Sequence, residues 1–443
     1  MLNKLFSSQF RRNISSGVLT NGFNFIATMV SYPVYLHYLG YDKYGIWLVL
    51  TAVLSLAQLG NFGIGPAVLK FVAECYERGD VRAIERYVAT AMYTLGISGG
   101  AILLLLVGLR AQIISLFKLS GGNAALAIWL IPYVGVLSLY IFIVRTAGAT
   151  LSGLGRLDLA NYSNAAGRII AVTVSTALLY AGYGIESLLI AYFVAECMSH
   201  AFYVIMVRKI VRIGWWHFAD FDKNSLKRML GLGSALMGGT LLNMLVAPFN
   251  KMMISRFLGV GYIPVYEIAY NSAMYIRDLV ASGLSALTPE MSKLAGSVNL
   301  DVKRIRHIYD KSKELIFFVG IPLFLFIFVL STPLLKLWLQ QKYNPLLPMA
   351  FRIMLIGSFF SLLGVPAYHT IIGFGRSTTI FITHAILSGT NVLFILASAA
   401  VAAYMSVNTI VFGIMLGMGL SSAYLAWQFT ALVNRYSSKM AGS

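Results

Sequence analysis

Apolar runs of about 20 residues, each long enough to cross a hydrocarbon core, recur from one end of this 443-residue chain to the other. In that solvent a backbone must satisfy its own hydrogen bonds, so spanning segments are helices or closed barrels. Barrel strands are short and alternate in polarity, and these runs do neither. Charged residues make up 11% of the chain and hydrophobic ones 58%, whereas a soluble domain carries about 25% charged residues. A large soluble protein is therefore excluded. The chain reads as an all-α, multi-pass membrane protein with about 12 transmembrane helices.

The predicted helices of the first half lie near 14–38, 44–68, 86–109, 124–148, 160–181 and 187–207. Those of the second half lie near 230–257, 263–287, 315–338, 347–373, 378–402 and 408–433. This divides the chain into a six-helix lobe over 1–207, a linker over 208–229 and a second six-helix lobe over 230–443. The first apolar run follows Lys4, Arg11 and Arg12 and is too long for the apolar core of a signal peptide, so it is read as a retained helix.

The net charge of +18 would raise nucleic acid as a partner in a soluble protein. Here it fits the cytoplasmic excess of Lys and Arg in membrane proteins. With both termini in the cytoplasm, that side holds Arg11, Arg12, Lys70 to Arg86, Arg145, Arg156, Arg208 to Arg228, Lys293 to Lys313, Arg376, Arg435 and Lys439. The opposite side keeps little beyond Lys43, Arg110, Lys118, Lys336 and Lys342. The expected arrangement is a multi-pass one with both termini in the cytoplasm. The linker mixes cations with Trp215, Trp216, Phe218 and Phe221; it is either a segment lying along the cytoplasmic leaflet or a plain solvated loop.

An internal repeat orders the chain. Leu39-Gly40 recurs as Leu258-Gly259, an offset of 219. Pro66 with Lys70 recurs as Pro289 with Lys293, an offset of 223. DVRAIER from Asp80 recurs as DVKRIRH from Asp301, an offset of 221. Gly153-Leu-Gly-Arg156 recurs as Gly373-Phe-Gly-Arg376, an offset of 220. Four matches in order at a nearly constant offset mark a duplication. Six helices per half is an even number, so both halves enter from one side, as parallel repeats about an axis along the membrane normal. Carriers built this way commonly bind substrate between the halves.

The intramembrane polar residues are the candidate site. Asn21, Asn24, Thr28, Ser31 and Tyr35 share one face of the first helix. Shifted by 219 they fall on Thr240, Asn243, Ala247, Asn250 and Ile254 of the seventh. Such a stripe lines a central cavity or serves as hydrogen-bonding glue between helices. Arg168, Lys251, Arg277, Arg256 and Arg352 are the cations within predicted spans, where charge is costly and functional or paired. Arg256 and Arg352 have snorkelling to the interface as an alternative, and Arg277 has neutralisation by Asp278 or Glu267. The acids Glu267, Asp278 and Glu196 are candidates for ion coupling, because a coupled carrier needs a group that loads and unloads. Glu267, Asn271, Met274 and Asp278 share a helical face, and Glu196 stands four residues before His200. No Walker motif, metal-ligand cluster or nucleophile–base pair is present in the sequence, so no cofactor, metal or catalytic residue is expected. Neither cysteine, Cys75 or Cys197, suggests a disulfide.

The stretch Leu39 to Trp47 (LGYDKYGIW), then LGNFGIG ending at Gly65 and KFVAE from Lys70, resembles the opening of the polysaccharide-exporter branch of the multidrug/oligosaccharidyl-lipid/polysaccharide flippase superfamily. LGVGYIPVYEIA from Leu258, LTPEMSKL ending at Leu294 and the Gly153–Arg156 turn are similar to the same branch. The resemblance spans nearly the whole chain and is nearest to Wzx-type O-antigen flippases. It implies MATE-like lobes, alternating access and a polyprenyl-pyrophosphate-linked oligosaccharide as substrate, with no enzymatic activity. Many relatives carry an acid where this chain has Asn61, so a cation-binding role does not carry over to that position. A polysaccharide polymerase and a chain-length regulator are the protein partners it implies, and a monomer is the default. A large anionic amphipathic substrate calls for a cationic, hydrogen-bonding groove, with Arg suited to phosphate oxygens. The alternative is a cation-coupled drug antiporter of the same superfamily, which would favour an acidic cavity. Lipid II flippases typically carry two further helices. A membrane polymerase or ligase would show a large outer loop, and none is present here.

Overall fold

A computed structural model describes residues 8–211, 221–282, 284, 287–295, 301–401 and 405–441. Helices α1 (Ser8–Ala57), α2 (Ile64–Glu77), α3 (Val81–Gly108), α4 (Arg110–Leu116), α5 (Gly121–Gly153), α6 (Leu157–Tyr180) and α7 (Glu186–Ile210) form the first half. Helix α8 (Lys223–Phe257) leads into the second. There α9 (Ile263–Ser282), α10 (Leu287–Ala295), α11 (Val302–Leu315), α12 (Ile321–Leu339), α13 (Leu347–Gly373), α14 (Ser377–Ala400) and α15 (Val407–Ala441) follow. No strand occurs among the described residues. The chain forms two compact units, Met1–Gly238 and Gly239–Ser443, whose division falls inside α8. Of the linker, residues 212–220, with Trp215, Trp216 and Phe218, lie outside the described residues, as do both extreme termini.

Among the described residues, eight stretches are long and apolar enough to cross a membrane by length and composition. The first, Ser15–Asn61, runs for 47 residues, twice what one crossing needs at ~20 residues. It folds at Gly40 (φ 69°, ψ −178°), where two helices meet. The remaining predicted spans are α6, α8 and α9, which carry the polar residues of the candidate site. The second predicted helix, 44–68, is interrupted: a 3-10 turn over Gln58–Asn61 and left-handed residues at Phe62 and Gly63 separate α1 from α2. Asn61 Oδ1 accepts the Gly65 N–H at 3.3 Å and so satisfies one free donor in the first turn of α2. The ninth predicted helix starts earlier than expected, because α11 runs into α12 through a π-helical turn over Ile316–Gly320.

The repeated sequence marks fold by the same devices in each half. Asp80 accepts the Ala83 N–H at 2.9 Å and Asp301 accepts the Arg304 N–H at 2.9 Å. Each carboxylate caps a helix and supplies the negative charge its N-terminus favours. At the Gly-Arg turns, Arg156 N–H reaches Leu151 O and Arg376 N–H reaches Ile371 O, both at 3.2 Å. Gly155 (φ 80°) and Gly375 (φ 69°) supply the left-handed residue that this six-to-one closure needs.

The hub of each unit is likewise the same repeat position. Helix α5 packs against α1, α2, α3 and α7, and α13 against α9, α10, α12 and α15. Both hubs end on a glycine that lets the preceding short helix approach. A Cβ on Gly153 would stand 2.7 Å from the Leu69 carbonyl oxygen of α2. A Cβ on Gly373 would stand 2.6 Å from Met291 Cβ of α10. Small residues at such crossings replace the hydrophobic drive that lipid does not provide.

Candidate functional site

In the first unit the polar stripe of α1 is graded. Asn21 is exposed and Asn24 half-buried, whereas Thr28, Ser31 and Tyr35 are buried. The buried end faces α6: the Tyr35 and Ser175 hydroxyls lie 2.8 Å apart. Arg168, on α6, spans three helices. Its guanidinium donates to Thr28 Oγ1 on α1 at 3.1 Å and to the Tyr192 hydroxyl on α7 at 3.1 Å. Both acceptors are neutral hydroxyls that hold the cation in position. Trp47 packs on Tyr192 with ring centroids 5.5 Å apart and steadies that arm.

The foot of the same α1–α6 seam rests on Asp158, which sequence reading had not singled out. Its carboxylate is fully buried. Arg156 binds it in a fork, Nε to Oδ1 at 3.0 Å and a terminal nitrogen to Oδ2 at 3.1 Å. Gln9 Nε2 donates to Oδ1 at 2.9 Å, and Asn13 Oδ1 accepts the Asp158 N–H at 3.0 Å. Burial pushes this carboxyl up, but the Arg156 fork, the Leu159 N–H and Gln9 together hold it below the ordinary carboxylate range. The Gly-x-Gly-Arg pattern was the one signal pointing here, since it placed Arg156 two residues from a carboxylate.

In the second unit, α8, α9 and α14 build a continuous polar track. Asn391 Nδ2 donates to Asn250 Oδ1 at 2.8 Å, and Asn250 Nδ2 donates to the Tyr266 hydroxyl at 3.3 Å. Next along α8, the buried Lys251 ammonium lies 3.0 Å from Glu267 Oε2, and Asn271 Nδ2 donates to Glu267 Oε1 at 3.1 Å. Lys251 and Glu267, expected respectively as substrate ligand and ion-coupling acid, thus meet each other. Further along α9, Arg277 pairs with Asp278 at 2.8 Å, one of the two neutralising partners its sequence offered. The Asn391 Oδ1, the Ser388 and Ser272 hydroxyls and Arg277 Nε are buried without a hydrogen-bond partner among the described residues. Such polar atoms are what a hydrated path or a sugar-bearing ligand engages.

The other candidates lie apart from these clusters. Asn243 and Arg256 are exposed on α8, and Thr240, whose position was matched to the α1 stripe, has a side chain outside the described residues. Arg352 is drawn against α12, donating to Ser331 Oγ at 2.7 Å and Thr332 Oγ1 at 3.2 Å, over the Phe328 ring. Glu196 is half-buried on α7. His200, four residues on from Glu196, places Nδ1 2.9 Å from the Tyr140 hydroxyl on α5.

A family model for the polysaccharide biosynthesis proteins matches residues 38–348. A Shigella flexneri protein named "Putative O-antigen transporter" is 20% identical over 350 residues, covering 78% of this chain and 80% of that protein. Among solved structures, an inward-facing multidrug resistance MATE family transporter of the MOP superfamily superimposes with a TM-score of 0.78 at 15% identity, covering 98% of this chain and 97% of that one. The lipid II flippase MurJ, in an inward closed conformation, superimposes with a TM-score of 0.72 at 15% identity, covering 93% of this chain and 87% of that one. At these identities the structures establish the fold, two lobes of six spans each. With the family match extending over more than half of its length, the chain belongs to the polysaccharide biosynthesis protein family.

Proposed function

We propose that this chain moves polyprenyl-pyrophosphate-linked oligosaccharide units from the cytoplasmic to the outer leaflet of a bacterial cytoplasmic membrane, for assembly of a surface polysaccharide. The family match carries the reading, and the relative named for O-antigen transport, similar over four fifths of its length, narrows the cargo. The basic loops favour cytoplasmic termini.

The side chains supply the chemistry this cargo needs. A pyrophosphate wants guanidinium groups held in position within a membrane span. Arg168 is held so by Thr28 and Tyr192, and Arg352 by Ser331 and Thr332. The amide-rich track from Asn391 through Asn250 to Tyr266 offers donors and acceptors of the kind sugars pair with. Alternating access of the two lobes is the expected transport cycle. Glu267 and Asp278 are the coupling candidates if an ion gradient drives it, with Lys251 and Arg277 as the cations each would have to release on loading.

The second reading, a cation-coupled drug antiporter, draws on the fold shared with the MATE transporter. It needs acids open to a cationic drug. Here Glu267 is engaged by Lys251 and Asn271, and Asp278 by Arg277, which favours the anionic cargo. Deleting the gene in its own host separates the two. Loss of surface polymer with lipid-linked repeat units accumulating, reversed by the wild-type chain, is expected. Unchanged glycans with new sensitivity to cationic drugs would replace this reading by the antiporter.

A further inference from the structure

Two cavities of opposite character adjoin along the start of α3, both within the first unit. The polar one, of about 320 Å³, lies where α2 ends, α3 begins and α8 begins. Arg78, Arg86 and Arg228 line it together with Asp80 and Asp222. Both carboxylates are committed to the chain's own turns. Asp80 caps α3 through the Ala83 N–H. Asp222 accepts the Ser225 hydroxyl at 2.6 Å and the Ser225 N–H at 2.8 Å. Among the lining residues three guanidinium groups accompany two occupied acids, an excess of one cation, with the N-terminal ends of α3 and α8 adding to it.

The apolar cavity, of about 510 Å³, lies between α3, α5 and α7. Met92, Tyr93, Tyr140, Cys197, His200 and Val204 line it, and Ile205, 51% exposed, stands on its rim. Its size is that of pockets which bury a ligand, ~300–1,000 Å³. Arg86 of the polar cavity and Tyr93 of the apolar one are seven residues apart on α3, two turns along one helical face. The dipeptide Phe221-Asp222 ties the two together. Phe221 packs edge-on against Tyr93 with ring centroids 6.3 Å apart, while Asp222 lines the polar cavity and donates its N–H to Thr90 at 3.0 Å.

We propose that these paired cavities are a binding site for an anionic phospholipid of the surrounding bilayer, its phosphate among Arg78, Arg86 and Arg228 and an acyl chain between α3, α5 and α7. A soluble anion would account for the arginines and leave the adjoining apolar cavity unexplained. A neutral lipid would account for the apolar cavity and leave the arginines unexplained. The transported lipid is a poorer occupant, because the polar stripe proposed for it lies on α1 and α6, whereas this site uses α3, α5 and α7. Occupancy would brace the first residues of α8 against α3, next to the segment that joins the two halves.

Native mass spectrometry of the purified full chain, titrated with phosphatidylglycerol or with phosphatidylcholine, tests the assignment. Wild type is expected to hold phosphatidylglycerol more tightly. Arg78→Gln, Arg86→Gln and Arg228→Gln should each weaken it about five-fold, the loss expected for one cation near a lipid phosphate. Ala201→Trp, which fills the apolar cavity from α7, should weaken both lipids. The single substitutions lie at exposed arginines, so the test stands even if a triple variant does not fold. Equal affinity for the two lipids, or phosphatidylglycerol binding unchanged in every arginine variant, would overturn the site. Inorganic phosphate binding as tightly with the same arginine dependence would make it a soluble-anion site. Undecaprenyl phosphate displacing phosphatidylglycerol at stoichiometric amounts would make it a substrate site.

Discussion

Lys251 Nζ lies 3.0 Å from Glu267 Oε2, joining α8 to α9 inside the second unit. The lysine side chain is 7% exposed and the glutamate 17%. Removing one partner of such a pair leaves a charge stranded, which costs on the order of 3–5 kcal/mol, whereas removing both is far milder. Lys251→Gln and Glu267→Gln should each lower thermal stability and transport sharply, and the double variant should regain most of the stability. A double-mutant cycle on melting temperature checks it. Additive losses would mean that the two side chains act independently.

Arg168 is positioned by hydroxyls, so its supports are testable apart from its charge. Arg168→Gln should cut transport roughly ten-fold, the loss of one charge-assisted phosphate contact of ~1.5 kcal/mol, with normal amounts of protein in the membrane. Thr28→Val and Tyr192→Phe should each give a smaller loss in the same direction, about 1 kcal/mol per hydrogen bond. Transport rates per membrane-embedded molecule are the measurement.

Asp158 sets a pH limit on the first unit. Its carboxyl lies below the ordinary range in the folded chain, so its contribution is complete above the unfolded value of ~4. That contribution is lost as pH falls through the folded value. Stability should therefore decline below about pH 4, and Asp158→Asn should remove that part of the decline. The same substitution should cost on the order of 2 kcal/mol at neutral pH, because the buried fork from Arg156 loses its charged acceptor. Melting curves from pH 3 to pH 7 (about the range spanning that transition) decide it.

Gly153 and Gly373 occupy one repeat position at two close crossings. Gly153→Ala and Gly373→Ala should each destabilise by ~1–3 kcal/mol, the usual cost of overpacking, through the α2–α5 and α10–α13 contacts respectively. Equal effects would show that the duplication preserved the crossing as well as the residue.

What sequence made legible was local chemistry and its recurrence. Asp80 and Asp301 announce helix starts, and Gly155-Arg156 and Gly375-Arg376 announce helix ends, because capping and left-handed turns depend on a few neighbouring residues. Asn61-Phe62-Gly63 was harder, since a break of two left-handed residues inside an apolar run leaves hydropathy unchanged. The charged start of α11 hid its continuity with α12, which passes through a π-helical turn. The site's residue types were readable, but their partners were not. Arg168 meets Thr28 across 140 residues, Gln9 meets Asp158 across 149 and Asn391 meets Asn250 across 141. Helix packing, which decides such pairs, depends on which faces meet, and the period of a single helix does not contain that information.

Leaflet-to-leaflet movement of a lipid-linked sugar is the most direct measurement. Proteoliposomes would hold the purified chain and a polyprenyl-pyrophosphate-linked oligosaccharide, and an impermeant sugar-oxidising reagent would read the outer-leaflet share over time. Translocation well above that of protein-free vesicles, reduced by Arg168→Gln, is the predicted result. Translocation at the protein-free rate, while the same vesicles exchange a cationic dye for protons, would contradict the account.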